Sequence, residues 1–73
     1  MPPTADVESL TAREQAVVEY FATGATYAEI ARAMGITINT VRTHVRSIYE
    51  KLHVASKTEA VLKVMPHAYR LSR

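Results

Sequence analysis

The chain has 73 residues, 48% of them hydrophobic, no cysteine and a formal net charge of +2. This describes one small globular domain near the lower limit for folding without staples, with disulfides and cysteine-ligated metals excluded. Two glycines and three prolines are too few to turn the many strands of a sandwich or barrel, so an all-α fold is expected. No run of 18 apolar residues is present to span a membrane. The opening "MPPTADVES" has no basic region leading into an apolar run, and Pro2 excludes myristoylation, so the default expectation is a cytoplasmic protein.

Residues 1–9 read as a flexible tail. A domain then runs over 10–65, followed by a second tail, "HAYRLSR", within 66–73. Three matches to the capping box divide the domain: Thr11 with Glu14, Thr26 with Glu29, and Ser56 with Glu59. In each, a hydroxyl can accept from a first-turn amide while the glutamate reaches back to the amide of the cap residue.

The first helix is predicted over about Ala12–Ala22, burying Val17, Val18 and Phe21 with Leu10 packed ahead of the cap. Gly24 supplies the left-handed residue that ends it. A second helix, Tyr27–Met34, turns Ile30, Ala31 and Met34 inward and stops at Gly35. A third opens at Thr37 and covers about 38–52. A fourth runs from Lys57 to about Met65, where Pro66 forbids continuation. Only Gly35, Ile36 and Thr37 separate the second helix from the third, the glycine-led spacing of a helix-turn-helix.

At about 100° per residue, Val41, Val45, Ile48 and Leu52 form one stripe of the third helix, its core face. Opposite lie Asn39, Thr43, Arg46 and Glu50, flanked by Arg42, while His44, Ser47 and Lys51 form the other polar flank. A solvated helix face ordinarily mixes signs, and up to Ser47 this one carries donors and no acid. Amides, hydroxyls and guanidiniums are the groups that meet base edges and phosphates in a major groove.

Charge is divided to match. Residues 1–36 hold five acids against two arginines, a net −3; residues 37–73 hold seven lysines and arginines against two glutamates, a net +5. The asymmetry points to a polyanionic partner for the second half, against the alternative of scattered surface charge. His44, His53 and His67 have no metal-site spacing. There is no glycine-rich phosphate loop and no nucleophile beside a base, so neither an enzyme nor a cofactor is expected.

Two stretches, "LTAREQAVVEYFATGATYAEIARAMGIT" and "TVRTHVRSIYEKLHVASKTEAV", cover Leu10 to Val61. Together they resemble the LuxR/GerE/NarL-type helix-turn-helix domain of bacterial transcription regulators. The resemblance implies a four-helix fold, a three-helix core plus a dimerisation helix, whose third helix enters the major groove of double-stranded DNA. Carried over by position, Arg42, Thr43 and Arg46 would read bases. Thr26, Tyr27, Asn39, Thr40, His44, Ser47 and Lys51 would be the candidates for phosphate contact, the amides that open the second helix suiting a phosphate on their own account. Ala60, Val61, Leu62 and Met65 would make a homodimer contact on an inverted-repeat site. No small-molecule ligand is implied for this domain. It would be the effector part of a response-regulator kind of protein, whose members commonly carry an amino-terminal receiver or ligand-binding domain.

The chain departs from the family pattern twice. The family often has Asn-Lys after the second helix's cap, and here Tyr27 and Ala28 follow, so one backbone-reaching cation is missing. Tyr27 could replace it through its hydroxyl or simply join the stripe of Ile30, Ala31 and Met34. Pro66 also shortens the fourth helix, where Leu62 and Met65 widen the apolar arc to roughly 200°. Such an arc suggests either a partner or cover by the tail around Tyr69. A different class of function also stays open: a protein-interaction module of the same fold, binding RNA polymerase or another regulator.

Overall fold

The computed structural model describes residues 9–65. Its order is α1 (Ala12–Ala22), α2 (Tyr27–Met34), α3 (Ile38–Leu52) and α4 (Lys57–Val64), with no strand among the described residues. The expected tails, 1–9 and 66–73, lie almost wholly outside the described residues.

Each helix begins at a hydroxyl cap. Thr11 and Thr26 accept from the amides of Glu14 and Glu29, whose carboxylates in turn accept from the Thr11 and Thr26 amides at 2.9 and 2.8 Å. Thr37 caps α3 by accepting from the Thr40 amide at 3.1 Å. The third expected box closes differently: Ser56 Oγ accepts from the Glu59 amide, but the Glu59 carboxylate accepts from the Ala55 amide at 3.3 Å. The fourth helix also stops one residue short of the predicted Met65. The residue before a proline is pushed out of helical geometry, and Met65 stands at φ −133°, ψ 62°.

Helix ends follow the glycines. After α1, Gly24 takes φ +82° and the Ala25 amide donates to the Tyr20 carbonyl. After α2, Gly35 takes φ +69° and the Ile36 amide donates to the Ala31 carbonyl at 3.0 Å, a Schellman closure. That closure starts the turn between α2 and α3, and Ile36 packs half-buried beneath it. α3 ends the same way without a glycine: His53 adopts φ +58° and the Val54 amide reaches the Tyr49 carbonyl.

The core is Val17, Val18 and Phe21 of α1, Ile30 and Ala31 of α2, Val41, Val45, Ile48 and Leu52 of α3, and Ala60 and Val61 of α4. α1 packs on α3 and α4, and α2 on α3. Met34, expected inward, is partly buried against this cluster. Full burial of side chains such as Ile48 and Leu52 contributes roughly 2 kcal/mol each. α3 is therefore clamped along one stripe, and its far side is left outside.

Candidate nucleic-acid interface

The outer face of α3 presents Asn39, Arg42, Thr43, Arg46 and Glu50, all exposed. Among the described residues, Arg42 and Arg46 make no hydrogen bond or ion pair, so both guanidiniums keep all five donors. Thr43 Oγ1 donates to the Asn39 carbonyl at 3.1 Å, which leaves its methyl as the group for apolar contact. Near the start of the helix, the hydroxyls of Thr40 and Thr37 lie 2.9 Å apart.

On one side this face falls into a shallow hollow of about 300 Å³ lined by Tyr27, Arg42, Val45, Arg46, Tyr49 and Glu50. The hollow joins the start of α2 to the middle of α3, and it brings Tyr27 beside the two arginines. Tyr27 is half-buried, with its ring 6.2 Å from that of Phe21 in a stacked arrangement. Burial raises the Tyr49 phenol above its ordinary pKa, and the neighbouring Tyr27 hydroxyl and the Glu59 charge raise it further. The Tyr27 ring therefore packs against Phe21, and its hydroxyl stands near that of Tyr49.

The other flank of α3 differs from expectation. Lys51 Nζ donates to Glu14 Oε1 at 2.8 Å and to the Ser9 carbonyl at 3.1 Å. Glu14 is only 5% exposed. Burial pushes its carboxyl up, but hydrogen bonds from Lys51, Ser47 and the Thr11 amide, with the Lys51 charge, outweigh that and hold it at about 2. Lys51, expected at a phosphate, is therefore held inside the protein by these two bonds, and Ser47, expected there too, sits half-buried on the same flank. Removing Lys51 weakens the seat of a buried carboxylate. His44 sits half-buried on this flank.

α4 also needs correction. Ala60 and Val61, expected at a dimer contact, are 0% and 1% exposed and belong to the core. Leu62 is 44% exposed, and Val64 and Met65 are half-buried. Cover from the tail around Tyr69 lies outside the described residues. Lys63 Nζ turns back to the Leu52 carbonyl at 2.9 Å, capping α3 at its negative end.

Lys57, the first residue of α4, carries a contact that the residue pattern did not suggest. Its Nζ lies 5.1 Å from the Tyr27 ring centroid and 5.4 Å from that of Phe21. A signal was available: a cation directly after an N-cap sits at the positive end of the helix, so its presence asks for another reason. Among the described residues no group of three His, Cys, Asp or Glu is placed to hold a metal ion, and no helix is long and apolar enough to cross a membrane.

Comparison with known proteins fits this geometry. Residues 8–64 match the family described as bacterial regulatory proteins, luxR family. The chain is 45% identical over 60 residues to the response regulator protein VraR of Staphylococcus aureus strain Mu3, covering 82% of this chain and 29% of VraR. The VraR of Staphylococcus epidermidis strain ATCC 35984 gives the same identity and coverage. The protein YhjB of Escherichia coli K12 is 37% identical over 57 residues, 78% of this chain and 28% of its own length. The chain thus spans less than a third of the length of the curated relatives it matches. A glycine-turned helix pair, four helices on one core and a match across most of the chain lead to one assignment: the chain belongs to the luxR family of bacterial regulatory proteins, as a helix-turn-helix domain of DNA-binding transcription regulators.

Proposed function

We propose that residues 10–65 are a DNA-binding unit that lays α3 in the major groove of double-stranded DNA to regulate transcription in the bacterial cytoplasm. One observation carries this reading: Arg42, Thr43 and Arg46 stand together on the outer face of the helix after the glycine turn, and both guanidiniums have no partner among the described residues. An arginine fork bonds guanine O6 and N7 in pairs, and a threonine methyl meets that of thymine. Thr26, Tyr27, Asn39, Thr40, His44 and Ser47 are the candidates for phosphate contact. The capping box at Thr26 occupies two amides there, those of Thr26 and Glu29, and leaves the Tyr27 and Ala28 amides for an anion.

The unit acts as a homodimer joined through Leu62 of α4 and Met65 just beyond it, on an inverted repeat whose half-sites lie about one helical turn apart. The exposed Leu62, continuous with half-buried Val64 and Met65, supports that surface. Selection of bound sites from a random duplex pool tests the proposal directly. A two-fold symmetric motif is expected, whereas recovery of unbiased sequence would refute base reading by α3. Binding to random duplex that weakens steeply with salt separates this function from a protein-interaction module, which gains little from released counterions.

A further inference from the structure

We infer that Lys57 and the Tyr27–Phe21 ring pair form a phosphate-binding site for the DNA backbone, supplying from α4 the cation that the start of α2 lacks. This rests on the DNA-binding reading above.

The cations of the basic half divide by what holds them. Lys51 is committed to Glu14 and the Ser9 carbonyl, and Lys63 to the Leu52 carbonyl. Lys57 is exposed and has no carboxylate or carbonyl partner among the described residues; it is held only over two ring faces. A ring face attracts an ammonium without accepting all of its three N–H donors, so the group is positioned while its hydrogen-bonding capacity stays open. A side chain already ordered this way loses less entropy when it meets an anion.

Place matters as much as freedom. Tyr27 is both the shelf under Lys57 and a wall of the hollow that holds Arg42 and Arg46. Tyr27 thus stands between the hollow of the arginines and the ammonium of Lys57. The first turn of α2, Tyr27, Ala28 and Glu29, contributes an acid and no cation of its own. Lys57 also occupies the first position of α4, where the helix dipole opposes a positive charge, and an approaching phosphodiester would relieve that opposition.

The test measures binding of the whole chain to a random-sequence duplex between 50 and 200 mM salt. Lys57→Gln is expected to reduce the slope of log affinity against log salt by about one per bound protomer. Over that range the wild type then loses about 3.5-fold more affinity per protomer than the variant. Lys57→Arg should restore the slope, because it keeps both the charge and the ring contact. Base preference in competition assays and the melting temperature should stay at wild-type values for both variants. A wild-type slope in Lys57→Gln, beside steep salt dependence in the wild type, would overturn this site and leave DNA binding standing. Absence of salt-dependent binding in the wild type would remove both.

Discussion

On one flank of α3, Lys51 turns toward α1 and bonds Glu14; on the other, Arg42 and Arg46 line a hollow beside Tyr27 and stay unpaired among the described residues. Both flanks are polar and basic in sequence. The difference lies in what faces them. α1 offers a buried carboxylate, which a compact ammonium satisfies with one short bond. The hollow offers rings and Val45, with Glu50 at its rim, leaving planar guanidinium forks available for planar partners. One helix thus carries a structural flank and a reading flank, and charge alone does not tell them apart.

The largest effect expected from this division is on stability. Lys51→Ala leaves Glu14 buried and unpaired, so it should cost about 2–3 kcal/mol, allowing for the solvent that reaches Lys51. That corresponds to a melting temperature lower by roughly 10–20 °C for a domain of this size. The salt slope of DNA binding by the folded fraction should not change. A stable Lys51→Ala protein with a shallower slope would move Lys51 to the reading flank.

The same pair sets an acid limb. The folded carboxyl of Glu14 titrates at about 2 and the unfolded one at 4.5, so the unfolded chain binds the proton first as pH falls. This contribution is full above pH 4.5 and drains as pH drops toward 2. Urea midpoints measured across that window should fall steeply in the wild type and less steeply in Glu14→Gln.

Next in size, Arg46→Ala should weaken binding to a preferred site by about 1–3 kcal/mol while leaving the melting temperature unchanged. Equal losses on preferred and random duplexes would make Arg46 a backbone contact rather than a reader. The smallest effect belongs to neither flank. His53 holds a left-handed conformation that suits glycine, so His53→Gly should change stability by about 1 kcal/mol or less, in the stabilising direction. DNA affinity should be unaffected, which makes it a control for stability acting alone.

Local signals in the sequence placed the helices well. The hydroxyl caps, Gly24 and Gly35, and the stripe Val41, Val45, Ile48 and Leu52 fix bounds and core faces because capping and periodicity act within a few residues. What escaped was long-range. Glu14 reads as an ordinary capping glutamate, and it is one: its Oε1 takes the Thr11 amide. The same oxygen also takes Lys51, 37 positions away, and no local pattern encodes that pairing. Lys57 escaped likewise, since its ring partners belong to α1 and α2. In α4, the resemblance implies a dimer role for Ala60 and Val61, but packing against the other helices closes both into the core.

Base reading in this domain falls to the free guanidiniums of α3. The direct test is to select sites from a random duplex pool with the wild type and with Arg46→Ala, side by side. A wild-type motif with two symmetric halves is expected, and an Arg46→Ala motif that loses base preference at one matching position in each half and keeps the rest. The same motif from both proteins would contradict it.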